Sequence, residues 1–365
     1  MKNIKFKKTQ NKPRVVVAMS GGVDSSVTAA LMVEAGYDVI GVTLQLYNHG
    51  QAVNRPNSCC AGRDIKDARE VANQLGIPYY VLNYEKSFLN NVIEDFADSY
   101  LRGETPIPCV RCNQTVKFSD LLQTAKKLGA EALATGHYVR REELNNNVAM
   151  FRGKDLKKDQ SYFLFSTTRA QLNYLRFPLG NMEKSETRGY ASQLGLTVSE
   201  KPESQDICFV PNGDYAKVIS RLRPGVFEHG DIVDLDGQYL GQHEGIANFT
   251  IGQRRGLGIA CGKPLYVVEI QPRENRVIVG PLESLLVESF QIKQINWLGD
   301  EVPLNQEIKV NVKVRSTTPP IPAALYLSEG GLGEIKYEFP QTSAAAGQAA
   351  VFYENDRVLG GGWIC

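Results

Sequence analysis

A parallel, doubly wound α/β sheet is predicted for the first half of the chain, followed by a small mixed α+β domain and a C-terminal β-barrel. Three observations predict it. From Val15 to Thr135, short apolar runs alternate with segments of helix length, the pattern of βα units in a parallel sheet. After about Pro211, turn pairs and short β-rich runs replace that alternation. From about Ser289 the strings IKVNVKVR, AAVFYE and RVLGGG read as closely spaced strands. At 365 residues the chain is also too long for one ordinary core. The expected domains are 1–210, 211–285 and 286–365.

Taken in order, Val15–Met19 reads as a buried strand and Ser25–Ala35 as a helix stopped by Gly36. Val39–Leu46 is the second strand. Asp64–Leu75 has helical periodicity and ends at Gly76-Ile77-Pro78. Tyr79–Asn83 is a third strand, Phe88–Tyr100 a helix, Asn113–Leu128 another helix, and Ala132–Thr135 another strand. A further helix lies around Lys184–Leu194. Asn212-Gly213 and Asp236-Gly237 mark turns, and Val267–Ile270 with Arg276–Val279 form a hairpin around QPREN. No internal repeat or low-complexity tract is present.

Composition narrows the function. Hydrophobic residues make up 42% and charged residues 22%, as in soluble globular proteins. No apolar run reaches the ~18–20 residues of a membrane span. The basic start Met1–Arg14 runs directly into a strand, with no apolar middle of a secretion signal. A cytoplasmic enzyme is expected. A net charge of +1 excludes a polyanion-binding surface spread over the whole molecule. Nucleic-acid contact would need local patches: Arg140-Arg141, Lys154 to Lys158, or Arg254-Arg255. Each pair alone is ordinary solvated surface. Seven cysteines, an odd count in a long chain, do not suit a disulfide scaffold.

VVVAMSGGVDSSVTAALMVEAGY (Val15–Tyr37) is a strand, a glycine turn and a helix start. Glycines permit left-handed dihedrals and close backbone approach, and first-turn amides with the helix dipole favour an anion. Ser20, Ser25 and Ser26 add hydroxyls. Neither G-x-G-x-x-G nor the P-loop G-K-[ST] is present. Asp24 stands out, because an acid repels phosphates unless a cation intervenes; a magnesium ion bridging Asp24 to pyrophosphate would resolve this. The alternative is a plain strand–turn–helix corner. SGGVDSS after a hydrophobic strand resembles the PP-loop of ATP pyrophosphatases, which cleave ATP between the α- and β-phosphates and adenylate an oxygen. That resemblance implies that Ala18, Met19, Ser20, Gly21, Gly22, Val23, Asp24 and Ser25 hold ATP, with Leu44 and Gly136 about the adenine and ribose.

Adenylation makes the oxygen a leaving group, so a nucleophile must follow. Two cysteine sites suit sulfur. In TPIPCVRCNQTVKF (Thr105–Phe118), Cys109 and Cys112 precede a helix start expected at Asn113. A thiolate is favoured there, and Arg111 and Lys117 add positive charge. A structural zinc half-site is the competing reading, but no second Cys-x-x-Cys exists and the adjacent Cys59-Cys60 chelates poorly. Buried inert thiols are the bland reading. In ESQDICFVP (Glu203–Pro211), Cys208 alone reads as a small apolar residue in a short strand.

Together these strings resemble the tRNA-specific 2-thiouridylase family. The likeness runs through AMSGGVDSS, TPIPCVRCN, ATGHY, KKDQSYFL, PESQDICF, FTIGQRRGLGI and GQAAVFYENDRVLGGG. It implies a tRNA-uridine 2-sulfurtransferase with PP-loop, central and β-barrel domains. ATP adenylates O2 of the wobble uridine, and sulfur replaces it. Cys112 is the implied nucleophile and Cys208 the implied persulfide carrier, with a disulfide between them as sulfur leaves. The target base would leave its stack. Implied tRNA contacts are Ile107, Pro108, Cys109, His137, Lys158, Asp159, Gln160, Arg315, Ser316 and Gln348. Implied partners are tRNAs with a wobble uridine, such as those for Lys, Glu and Gln, and a sulfur-relay protein or cysteine desulfurase. One position departs from the family: Cys109 stands where better-known members carry an aspartate suited to acid–base work. Cys109, Cys112 and Cys208 as ligands of an iron–sulfur cluster is therefore an alternative, since related tRNA thiolases use such clusters. The rival functions are an adenylating ligase or amidotransferase acting on a small molecule, and a non-catalytic RNA-binding protein.

Overall fold

The computed structural model describes residues 12–47, 60–144, 147–202, 207–210, 213–342 and 344–365. Most of the basic start, Cys59, the run Glu203–Asp206 and the first residue of the Asn212-Gly213 turn lie outside them. The chain divides into two compact units, each assembled from separate stretches. Residues 1–86, 116–161 and 169–203 make the first, and 87–115, 162–168 and 204–365 the second.

The first unit is the predicted doubly wound sheet. Strand β1 (Arg14–Ala18) carries three valines with no exposed surface, which only a central strand covered on both faces allows. It pairs in parallel with β2 (Asp38–Gln45) and with β4 (Ala132–Ala134). Strand β3 (Tyr79–Asn83) adds beyond β2 in the same direction. A hairpin of β5 (Val139–Leu144) and β6 (Asn147–Arg152) follows, and the two-residue β7 (Leu175–Arg176) closes the sheet beside β4. The order is β3-β2-β1-β4-β7, all parallel. The chain therefore reverses its winding between β1 and β4, and the crevice at their carboxyl ends is where such sheets bind ligands.

Helices α1 (Val23–Glu34), α2 (Cys60–Gln74) and α3 (Lys184–Gln193) surround that sheet. Val27, Ala29 and Met32 of α1, Ala68 and Val71 of α2 and Ala191 of α3 share one core with Val15 and Val17 of β1. The β5–β6 hairpin was not legible in the sequence. It also accounts for the Arg140-Arg141 pair. Arg140 donates to Arg152 O (2.8 Å) and pairs with Glu142, while Arg141 donates to Leu172 O (3.0 Å). The pair is taken up inside the unit.

The second unit holds two sheets. Strands β8 (Gly230–Val233), β9 (Tyr239–His243), β10 (Tyr266–Gln271) and β11 (Arg276–Gly280) run in the order β10-β11-β8-β9. With helix Tyr215–Leu222 they form the predicted mixed element, including the hairpin around QPREN. Strands β12 (Leu286–Trp297), β13 (Glu307–Lys313), β14 (Ile321–Ser328), β15 (Leu332–Thr342), β16 (Ala349–Glu354) and β17 (Arg357–Ile364) then close on themselves. The barrel order is β12-β15-β14-β13-β16-β17, with β17 returning to β12. Closure removes the open edges that a free sheet would expose. Among the described residues no helix is long and apolar enough to cross a membrane.

The closing seam depends on Gly360. Its φ is +133°, and a Cβ there would lie 2.0 Å from the Asn296 carbonyl oxygen. Gly360→Ala is expected to destabilise the barrel by about 3 kcal/mol, from backbone strain plus the clash. Urea unfolding followed by tryptophan fluorescence would read this; an unshifted transition would show that the seam tolerates a side chain.

Candidate active site

The loop after β1 is built by glycine and held by serine. Gly21 has φ +75°, and a Cβ there would stand 2.1 Å from the Asp64 carbonyl oxygen of α2. Only glycine lets the loop pass that close. The Ser25 hydroxyl accepts from the Ser20 amide (3.1 Å) and donates to Gly22 O (3.1 Å), so one side chain ties both sides of the turn. Ser26 is buried and donates to Gly22 O (2.9 Å). Ser20 is exposed. Beneath the loop, the Thr43 hydroxyl donates to Met19 O (2.6 Å) and Tyr79 donates to Thr43 (2.7 Å). The result is a glycine loop feeding the positive end of a 12-residue helix, the geometry of an anion site.

The segment leaving β4 packs against the same helix start. A Cβ on Gly136 would lie 2.9 Å from the Asp24 carbonyl carbon and 3.0 Å from the Ser25 nitrogen. Gly136 thus lies directly against the start of α1. Next to it, the buried Thr135 hydroxyl has no hydrogen-bond partner among the described residues. An orphaned hydroxyl beside a glycine cradle fits a polar ligand such as a nucleotide. Leu44 lies two residues past Val42, the β2 partner of Ala18, and is half-buried.

Asp24 is not left to repel a phosphate. Its carboxylate accepts from the Lys184 ammonium at 2.6 and 2.8 Å and from the Tyr138 hydroxyl at 2.8 Å. A second lysine, Lys201, donates to Gly21 O (2.9 Å) and Asp64 (2.7 Å) and pairs with Asp67. Neither lysine was found by sequence reasoning. Lys184 and Lys201 lie 160 and 180 residues from their loop partners, and no local motif marks such a pairing. Asp24 keeps acceptor capacity that would suit a magnesium ion beside its lysine partner.

The cysteine segment differs from expectation. The helix begins at Pro108, a full turn before Asn113, and helical structure continues to Lys127 with a π-helical stretch over Cys112–Leu121. Pro108 explains the early start, since proline suits the first helical position. Cys112 therefore lies one turn inside and is buried, while Cys109 is in the first turn and exposed. Arg111 does not stand ready for a Cys112 thiolate as expected. It pairs with Asp95 (3.2 Å) and stacks over Trp363 (4.6 Å to the ring centre). Asn113 is buried, donates to Phe163 O (3.1 Å) and leaves its side-chain oxygen without a partner among the described residues.

Cys208 lies in a turn closed by Val210 N to Ile207 O (2.9 Å), not in a strand. Its neighbour Phe209 anchors that turn edge-on against Phe88 and Phe96. This leaves Cys208 exposed. Cys112 and Cys208 belong to the same unit. Among the described residues no group of three or more His, Cys, Asp or Glu side chains could hold a metal ion.

The expected RNA-contacting residues fall into several settings. His137 Nδ1 pairs with Gln160 Oε1 (2.9 Å), and the ring meets Phe118 edge-on. Burial first, and the nearby Lys117 ammonium second, push its pKa down to about 3, against the Gln160 hydrogen bond. The Asp159 carboxylate is turned inward, accepting from Arg152, Gly153 N and Ser161. It shapes the loop that carries Lys158 and Gln160. Gln348 donates to Thr105 O (2.9 Å), beside the segment of Ile107 and Pro108, both buried. Arg315 is half-buried and Ser316 exposed, in the turn after β13.

Three family models match the chain: one described as tRNA methyl transferase HUP domain over residues 13–212, one as tRNA methyl transferase PRC-barrel domain over 222–281, and one as aminomethyltransferase beta-barrel domain over 287–364. A Rhodospirillum centenum protein named tRNA-specific 2-thiouridylase MnmA is 56% identical over 372 residues, spanning 100% of this chain and 94% of that protein. A Rickettsia felis protein of the same name is 57% identical over 350 residues, 96% of each. One from Paracoccus denitrificans is 56% identical over 363 residues, 98% of this chain and 93% of that protein. With likeness of this degree along nearly its whole length, the chain belongs to the tRNA-specific 2-thiouridylase family.

Proposed function

We propose that the chain is an ATP-dependent tRNA-uridine 2-sulfurtransferase acting on the wobble uridine. The observation that carries this reading is the serine-tied glycine loop at the sheet's switch point, in a chain that also holds Cys112 and Cys208. The loop suits a nucleotide, and the thiols suit sulfur.

The first step is adenylation. Uridine O2 attacks the α-phosphate, forming a P–O bond as pyrophosphate leaves. First-turn amides of α1 and the Ser20 hydroxyl would hold the phosphate chain, with magnesium accompanying ATP. Sulfur transfer follows. The terminal sulfur of a Cys208 persulfide attacks C2 and displaces AMP. The Cys112 thiolate then attacks the Cys208 sulfur, and the S–S bond to the base breaks. The products are 2-thiouridine and a Cys112–Cys208 disulfide. The sulfur is reduced and the two cysteines are oxidised, so a thiol reductant must reset the pair. The exposed position of Cys208 suits loading by a separate sulfur-carrying protein or a cysteine desulfurase. Burial of Cys112 protects the nucleophile from oxidation until the base arrives.

tRNA contact is assigned to Ile107, Pro108, Cys109, His137, Lys158, Gln160, Arg315, Ser316 and Gln348, with Asp159 acting through the loop it shapes. Lys158 and Arg315 supply phosphate attraction. His137 serves as a neutral hydrogen-bonding group, because its depressed pKa keeps it uncharged throughout the working range.

Cys112→Ser and Cys208→Ser are each expected to lower 2-thiouridine formation by roughly 10³-fold or more, while tRNA-dependent pyrophosphate release persists. Mass spectrometry of digested tRNA and a pyrophosphate assay would separate the two steps; thiolation at the normal rate by the Cys208 variant would refute the persulfide route. For His137, NMR titration from pH 8 to pH 5 should show ring resonances that do not move, because the folded-state pKa lies below that window. A midpoint near the ordinary histidine value would refute its neutral role.

A further inference from the structure

Lys184 sits where a lysine is costly. It is 9% exposed, and lysines are almost never fully buried unless paired. It is also the first residue of α3, where the helix dipole disfavours a cation. The position is firmly built all the same. Glu183 and Glu186 form a reciprocal capping box around it, and its amide donates to Asp155 (3.1 Å). Both costs are offset at the two carboxylate oxygens of Asp24, and the ammonium also lies 5.7 Å from the centre of the Tyr138 ring. The Lys184 side chain is 11% exposed and that of Asp24 35%. The Asp24 side chain is therefore the more exposed member of the pair.

We propose that Lys184 is a positioning residue of the nucleotide loop: a built-in counter-ion that cancels the charge of Asp24 and fixes its rotamer, so that a polyphosphate can dock at the start of α1. This rests on the nucleotide reading above. Without Lys184, a lone carboxylate in the first turn of α1 opposes the phosphate chain across a few ångströms of partly desolvated space. Tyr138 continues to orient Asp24 through its hydroxyl, but it carries no charge. Lys184 therefore has a partner role, set by Asp24, and its loss should be repaired by removing the charge it offsets.

The test is calorimetric titration of the full chain with magnesium and α,β-methylene-ATP, which cannot be cleaved at the reacting bond. The unaltered chain is compared with Lys184→Met, Lys184→Arg, Asp24→Asn and the double variant Asp24→Asn/Lys184→Met, each checked by circular dichroism. Lys184→Met is expected to bind about tenfold more weakly or worse, and Lys184→Arg within about threefold of the unaltered chain. The double variant should return to within about threefold of Asp24→Asn, since no charge then needs a counter-ion. A Lys184→Met affinity equal to that of the unaltered chain overturns the proposal. So does a double variant much weaker than Asp24→Asn, which would assign Lys184 to direct phosphate contact. If Lys184→Met alone fails to fold, the comparison of the double variant with Asp24→Asn still decides. No binding by the unaltered chain overturns the nucleotide reading and this inference with it, whereas normal binding with indifferent variants overturns only the inference.

Discussion

Close backbone approach at the start of α1 is the constraint on which the rest of the first unit depends. The loop after β1 presses on α2 at Gly21, and the segment after β4 presses on α1 at Gly136. A single methyl group at either point would overlap a carbonyl or an amide. The parallel order β3-β2-β1-β4-β7 brings the carboxyl ends of β1 and β4 side by side. The two glycines then let their outgoing loops meet one helix end. An anion site follows from that meeting, because first-turn amides have no intrahelical acceptor.

Charge completes what backbone geometry begins. The molecule is nearly neutral overall, yet it gathers Lys184, Lys201, Asp24, Asp64 and Asp67 around one loop. Each lysine comes from a distant part of the sequence and meets a carboxylate, and Lys201 also meets a loop carbonyl. Two basic residues that looked free for nucleic acid, Arg140 and Arg141, are taken up internally, and so is Arg111, which looked free for the Cys112 thiolate. Counting basic residues along a sequence therefore overstates the surface available to RNA. Partners within the fold decide how much charge remains.

The thiols follow the same logic on a different element. Starting the helix at Pro108 puts Cys109 and Cys112 three residues apart on helical structure, one exposed in the first turn and one buried a turn later. Cys208 gains its exposure from Phe209, whose ring is held between two others. Burial and exposure of the two proposed sulfur handlers thus come from packing by their neighbours.

Much of this was legible in the chain itself. Alternating apolar runs determined the parallel sheet, because a buried strand and an amphipathic helix have different periods. The closely spaced β-rich runs after Ser289, alternating in IKVNVKVR, determined a β-rich C-terminal region. SGGVDSS determined the glycine loop, since left-handed dihedrals leave a local signature. Other features had no such signature. The β5–β6 hairpin is mostly charged on one strand, so its periodicity is weak. The helix start at Pro108 was hidden by a segment rich in proline that reads as loop. The closure of β17 onto β12, the inward turn of Asp159 and the lysines on Asp24 and Gly21 were decided by tertiary structure alone. Each joins residues whose spacing along the chain carries no information about their distance in space, and only the packed core brings them together.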